Sequence, residues 1–207
     1  MSNDFEGRLA VVTGASSGIG LAVTARLLAQ GARVLAMSRK MGGLEELARH
    51  FAGQLTWVSG DVTKAQDLEQ LAQHALRLGP VHYLVPNAGI AELADCLDLQ
   101  AFDRQWAVNG AGALNTLAHL RGNLANPASV VFITTFLTGV TFPGLAAYIA
   151  SKAALQAHAR TLAVELAPQG IRINMVSPGP TATPIWSTLG LNHQDLANVA
   201  TQVNKRL

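Results

Sequence analysis

Tyr148 and Lys152 stand four residues apart in the stretch Tyr148-Ile149-Ala150-Ser151-Lys152. The surrounding run, Leu145 to Leu166, is rich in alanine and reads as a helix. Four residues make about one helical turn, so the phenol and the ammonium share a face. A positive charge beside a phenol favours the phenolate, which makes the pair a candidate general acid/base. The same spacing also fits a half-buried ring beside a solvated charge. What the pair means depends on what the rest of the chain brings to it.

A second chemical signal lies near the N-terminus. Thr13-Gly14-Ala15-Ser16-Ser17-Gly18-Ile19-Gly20 follows the apolar run Leu9 to Thr13 and precedes a helical pattern that stops at Gly31. Glycines at a strand-to-helix junction allow a tight turn and let backbone N–H groups approach a phosphate. The helix N-terminus adds its dipole. The spacing is Gly-x3-Gly-x-Gly, and no Lys-Ser/Thr pair follows, which argues against a nucleoside-triphosphate P-loop.

The elements that must position these groups can be read in order. Short apolar strands are expected at Leu9 to Thr13, Ala32 to Met37, Leu55 to Val58, Tyr83 to Val85, Ser129 to Thr134 and Ile171 to Val176. Helices are expected after Gly18, at Leu44 to Phe51, at Ala65 to Leu78, irregularly over Gln100 to Leu124, and at Leu145 to Leu166. Continuous apolar strands alternating with helices indicate a parallel sheet covered on both faces, a doubly wound three-layer α/β fold. Such sheets bind ligands beyond the carboxyl ends of their strands. Thr13-Gly14, Ser38-Arg39, Asp61, Asn87, Thr135 and Pro178-Gly179 all fall at those ends.

Composition narrows the function. A chain of 207 residues suits one domain, here taken as residues 1–207, with room for a sizeable core. Apolar residues make up 49% and charged residues 14%, so disorder is excluded. The net charge of +2 comes without a basic run, which gives no support for nucleic-acid binding. The single cysteine, Cys96, rules out an internal disulfide and is expected to pack half-buried. The polar N-terminus is unlike a signal peptide, and no apolar run is long enough to span a bilayer, so a cytoplasmic setting is expected. His50, His74, His82, His119, His158 and His193 show no ligand spacing, and no metal is expected. His82, opening the fourth strand, is read as structural.

As a set, Thr13-Gly-x3-Gly-Ile-Gly20, Asn87-Ala-Gly89, Asn109, Tyr148-x3-Lys152 and Pro178-Gly179 resemble the short-chain dehydrogenase/reductase family in order and spacing. The resemblance runs from about Gly7 to about Pro184. It implies a Rossmann fold and hydride transfer between a nicotinamide cofactor and a carbonyl or alcohol. By position, Tyr148 becomes the acid/base. Lys152 is expected to lower the Tyr148 pKa and to bond the nicotinamide ribose. Asn109 is expected to disturb its helix and hold a water in a proton relay toward Lys152. The family's catalytic Ser falls on Thr135, whose hydroxyl can still bond the substrate oxygen while its methyl restricts the rotamer. Thr134 should point the other way. The implied cofactor contacts are Gly14, Ser16, Ser17, Gly18, Ile19 and Gly20, then Ser38, Arg39, Asp61 and Val62. Asn87, Ala88, Gly89, Pro178, Gly179, Thr181 and Thr183 complete them, beside Tyr148 and Lys152.

The second strand ends Met37-Ser38-Arg39-Lys40, without the carboxylate that would take the ribose hydroxyl of NAD. Ser38 can donate a hydrogen bond and Arg39 can fork onto a 2′-phosphate, so NADP(H) is expected over NAD(H). Ser17 stands in the turn where NADP-preferring relatives often carry a basic residue. Pro86 replaces the Asn usual before Asn87 and gives up a backbone N–H at the strand end. Gly79 to Gly89 looks somewhat like sugar or dicarbonyl reductases of the family. Phe136, Leu137, Phe142, Trp186 and Leu189 are expected near a mainly apolar substrate mouth.

After Pro184 no further strand is expected, so the sheet is read as missing the family's last edge strand. The long helix and the Tyr148 helix suit a homodimer, with a homotetramer less expected. The competing reading is a dinucleotide-binding sensor or scaffold without turnover.

Overall fold

A computed structural model of the chain describes residues 5–189. The elements run β1 (Leu9–Thr13), α1 (Gly18–Ala29), β2 (Arg33–Ser38), α2 (Leu44–His50), β3 (Leu55–Ser59), α3 (Ala65–Leu78) and β4 (Val81–Pro86). They continue with α4 (Leu99–Trp106), α5 (Ala113–Leu120), β5 (Leu124–Ile133), α6 (Ala146–Leu166) and β6 (Ile171–Val176). The strands form one parallel sheet in the order β3-β2-β1-β4-β5-β6. This is the expected doubly wound Rossmann arrangement. The chain leaves β1 in one direction toward β3 and returns to the other side of β1 at β4, opening a crevice at the carboxyl ends. Whether a further strand follows β6 lies outside the described residues.

Every residue of β1 is buried, because successive side chains enter opposite cores. Leu9 and Val11 join Leu35, Leu84 and Phe132 under Leu71 of α3, Leu117 of α5 and Leu155 of α6. Ala10 and Val12 join Val34, Ala36 and Val85 under Leu27 and Leu28 of α1 and Leu44 of α2. Burial on both faces is why the strands read as continuous apolar runs. α1 stops at Gly31, where φ is +87°. The N–H groups of Gly31 and Ala32 donate to Leu28 and Leu27 carbonyls at 3.0 Å each, a glycine-terminated cap. His82 is structural, as expected: its Nδ1 accepts the Leu9 N–H at 3.4 Å, where the β1–β4 register shifts.

The stretch expected as one irregular helix over Gln100 to Leu124 is instead divided. α4 is capped by Asp98, whose carboxylate accepts the Ala101 N–H at 3.0 Å. A π-helical turn over Ala107–Gly112 follows, then α5 and a short 3-10 turn over Arg121–Asn123. β5 begins at Leu124, five residues before the expected start, because Leu124 pairs with Val81. Its outer part reads as a loop in sequence, since it contains Asn126-Pro127 and is only partly buried. β4 is also longer than expected and ends on Pro86. Pro86 pairs with Thr13 of β1, whereas the β5 ladder stops at Leu84↔Val130. A residue without an N–H cannot extend a second ladder.

The π-helical turn places Asn109 fully buried toward the carboxyl end of the sheet. Gly110 allows it. A Cβ there would press into the Trp106 ring, with Cη2 at 2.7 Å. A Gly110→Ala variant is therefore expected to lose about 1–3 kcal/mol of stability through overpacking. Urea unfolding measures it, and an unchanged midpoint would show that the ring moves aside freely.

Candidate functional site

The glycine turn and the exit of β4 are built against each other. A Cβ at Gly14, where φ is +63°, would lie 2.7 Å from Ala88 Cα. One at Gly20 would strike the Gly14 carbonyl and the Asn87 amide. Asn87 Nδ2 donates to the carbonyls of Thr13 at 3.1 Å and Gly14 at 3.2 Å. In return, Thr13 Oγ1 accepts the N–H groups of Asn87 at 3.1 Å and Ala88 at 3.2 Å. Asn87, expected simply as a polar group near the cofactor, thus braces the turn. Ser17 precedes α1 without a side-chain cap bond, so the first N–H groups of that helix keep their capacity for an anion.

A cleft of about 760 Å³ runs along the carboxyl ends of the strands. It is lined by Gly14, Ser16, Ser17, Gly18 and Ile19, by Ser38, Arg39, Asp61 and Val62, and by Asn87, Ala88 and Gly89. Thr135, Tyr148, Lys152, Pro178, Gly179, Thr181 and Thr183 also line it. Two expected site residues lie behind it instead. Gly20 packs under the turn, and Asn109 sits beneath Gly89.

At the Arg39 end the side chains differ from expectation in one respect. Ser38 is buried and donates its hydroxyl proton to the Lys40 carbonyl at 2.7 Å, while accepting from Trp57 Nε1 at 3.0 Å. Its proton is committed to shaping the loop, so it is not a donor for a ligand. Arg39 and Lys40 are exposed at the rim. Burial alone would raise the Asp61 carboxyl. Two hydrogen bonds from Thr63 and the charges of Arg39 and Lys64 outweigh it and hold the group below its ordinary value.

At the opposite end β5 delivers two neighbouring hydroxyls in opposite directions, as expected. Thr134 Oγ1 bonds the Val176 carbonyl at 3.1 Å and Ser177 Oγ at 2.7 Å. Thr135 Oγ1 accepts the Leu137 N–H at 3.3 Å, capping a short 3-10 turn over Phe136–Thr138, and hydrogen-bonds the Tyr148 phenol. The expected lowering of that phenol by Lys152 is not what the structure shows. Burial pushes Tyr148 above its ordinary value, and the bond from Thr135 offsets only part of the rise. Lys152 is itself pulled down to about 8 by burial, and its Nζ donates to the Ile133 carbonyl at 2.8 Å.

Asn109 ties this end together. Its Oδ1 accepts the Ile90 N–H at 2.8 Å, and its Nδ2 donates to the Ile90 carbonyl at 2.9 Å and to Ser151 Oγ at 3.0 Å. Ser151 in turn donates to the Tyr148 carbonyl at 2.7 Å. Both amide protons are committed, so the side chain has none left for the expected water. Ser151 was not singled out from sequence, although it lies inside the Tyr148-x3-Lys152 motif. Trp57 and the buried Gln105, which accepts the Glu92 N–H at 3.1 Å, also carried no sequence signal. Cys96, expected half-buried, is exposed on the loop after β4. Among the described residues, no group of three His, Cys, Asp or Glu could hold a metal ion, and no helix is long and apolar enough to cross a membrane.

The short chain dehydrogenase family model matches residues 8–194. The chain is 33% identical over 183 residues to carbonyl reductase (NADPH) 2 of Sus scrofa, covering 86% of this chain and 73% of that protein. It is 38% identical over 187 residues to a glycine betaine reductase of Emericella nidulans, covering 86% of this chain but 15% of that longer protein. Among solved structures it resembles 3-ketoacyl-(acyl-carrier-protein) reductase from Brucella melitensis complexed with NADH. The TM-score is 0.80 at 29% identity, covering 89% of this chain and 80% of that one.

Lys152 gives a pH test. Its folded value of about 8 lies below the ordinary 10.5, so between them the unfolded chain holds a proton the folded chain has lost. Its contribution to stability therefore rises with pH across that window, by on the order of 3 kcal/mol in full. Lys152→Met is expected to be more stable than wild type at about pH 7, with the difference shrinking by about pH 9.5. Urea midpoints at the two pH values measure it, and a pH-independent difference would contradict the buried charge.

Proposed function

The chain belongs to the short-chain dehydrogenase family, and from that premise we propose that it transfers a hydride between NADP(H) and a carbonyl or alcohol substrate. One observation carries the proposal. The bonded hydroxyls of Thr135 and Tyr148, with buried Lys152 one helical turn on, end a cleft that begins at a glycine turn and a helix N-terminus. A dinucleotide fits that donor set. Gly14 and Gly18 are held where a Cβ would meet Ala88 or Thr183, leaving backbone beside the cleft for the phosphates. The nicotinamide, when bound, supplies or accepts the hydride.

The remaining chemistry belongs to the chain. Tyr148 gives its phenolic proton to the carbonyl oxygen as the alcohol forms and takes it back in the reverse direction. The raised phenol keeps that proton in place near neutral pH, as a proton donor requires. Thr135 accepts from Leu137 and has one hydroxyl proton, which passes from Tyr148 to the substrate oxygen when a carbonyl binds and polarises it there. We assign the Lys152 ammonium to the cofactor's ribose: it spends one donor on the Ile133 carbonyl and keeps others for a ligand hydroxyl. We assign Asn109 to positioning: it holds the loop after β4 and the first turn of α6 through Ser151. A module without turnover would have no use for a buried ammonium beside two bonded hydroxyls.

NADP(H) is supported by the missing carboxylate at the end of β2 and by Arg39 and Lys40 at the rim. With the Ser38 hydroxyl committed, those two cations carry the recognition of a 2′-phosphate. The similar proteins include a reductase named for NADPH and one complexed with NADH, so the choice rests on these residues. A homodimer through α4, α5 and α6 is supported by Leu99 and Val164, which are 74% and 76% exposed on those helices.

Tyr148→Phe is expected to lower kcat for ketone reduction by about 10²–10⁴-fold while leaving NADPH affinity near wild type. Unchanged turnover would remove Tyr148 from the mechanism, and NADPH binding without turnover on any carbonyl would support the binding module. Arg39→Asp is expected to weaken NADPH by about 1–3 kcal/mol in a direct titration. A wild-type preference for NADH would show the cofactor assignment to be wrong.

A further inference from the structure

The two ends of the cleft differ in chemistry. Arg39, Lys40 and Asp61 stand at one end. Around Tyr148 the described lining residues carry no charge apart from Lys152, whose ammonium is buried against the Ile133 carbonyl. Three polar groups of the segment after β6 are committed to local carbonyls. Trp186 Nε1 donates to Thr181 at 2.7 Å, Thr181 Oγ1 to Gly179 at 3.0 Å, and Ser187 Oγ to Pro184 at 2.7 Å. Thr134 is turned onto β6.

What surrounds the Tyr148–Thr135 pair is a third apolar cluster, separate from the two that hold the sheet. Leu145 and Leu189 are buried in it, and Leu137, Ile185 and Trp186 pack against them beside Tyr148. Because the Trp186 N–H bonds within its own segment, the indole offers its apolar body, a surface suited to an aromatic ring.

Resting on the hydride-transfer reading, we infer that the substrate is an uncharged ketone or aldehyde with apolar flanks, an aromatic flank best of all, held by Leu137, Leu145, Trp186 and Leu189 around one polar centre at Tyr148 and Thr135. A single carbonyl oxygen meets both hydroxyls, and the carbons beside it are removed from water against apolar side chains. The hydroxyls of a ketose would lose their water there without partners, and a carboxylate would lose more. Trp186 is the specificity-determining residue for an aromatic flank. Of the sugar or dicarbonyl reductases that the Gly79 to Gly89 stretch somewhat resembles, this sets the chain apart from the sugar reductases.

Two matched ketones and a sugar test it with the full chain and NADPH: 4-methylacetophenone, 4-acetylbenzoate and a ketopentose. The neutral ketone is expected to exceed each of the others in kcat/KM by at least about 10²-fold. Trp186→Phe keeps an apolar ring and should keep the ratio, whereas Trp186→Ala should lower it by about 10-fold, chiefly through KM. Saturation-transfer NMR reads binding apart from turnover and should detect the neutral ketone alone. Turnover of the carboxylate or the ketose as fast as the neutral ketone would overturn the inference and leave the hydride-transfer reading standing. Binding of the neutral ketone without turnover, with NADPH or NADH, would sink the hydride-transfer reading while confirming the pocket's preference. Neither binding nor turnover would overturn both.

Discussion

The amide of Asn87 on the carbonyls of Thr13 and Gly14 is the contact from which the site is organised. It fastens the end of β4 to the end of β1 at the point where the strand order turns back on itself. Glycine at 14 and 20 is the condition for that contact, since a Cβ at either would enter the space that Ala88 and Asn87 occupy. The glycine turn and the loop that leads toward α6 are therefore one piece of structure. Pro86 fits the same arrangement, since β4 keeps its β1 ladder to the last residue and gives up the β5 ladder earlier.

From that join a chain of hydrogen bonds runs to the backbone of Tyr148. Ile90 follows the β4 exit and is clamped by Asn109 on both its N–H and its carbonyl. Asn109 passes the constraint to Ser151, and Ser151 to the backbone of Tyr148. A π-helical turn centred on Asn109 makes this possible by bringing a fully buried amide between two elements that a regular helix would have covered with carbon. Each donor in the chain has a partner, which is the condition under which a buried polar network adds rigidity rather than strain.

Lys152 shows the opposing tension. Its ammonium is held out of water with one carbonyl for company, and that burial pulls its pKa down. The phenol a turn away is shifted in the other direction by the same cause. Near neutral pH both groups are therefore protonated, a state suited to giving a proton to a carbonyl oxygen. The large cores on the two faces of the sheet offset the loss in stability.

The sequence by itself determined the fold class, the six strands in order and the groups collected at their carboxyl ends. These depend on short-range causes: apolar periodicity, and glycine where the backbone requires it. It also placed Tyr148, Lys152 and Thr135 in one site. What only the tertiary structure decided is how each polar group is used. Asn109 meets Ser151 across 42 residues, and Ser38 meets Trp57 across 19. Ser151 takes an amide proton that Asn109 would otherwise offer to a water, and Trp57 takes an acceptor lone pair of Ser38, whose own proton goes to the nearby Lys40 carbonyl. The exposure of Cys96, the early start of β5 against Val81 and the upward shift of Tyr148 have the same origin. Burial and partnership are properties of packed neighbours, and the neighbours come from distant parts of the chain.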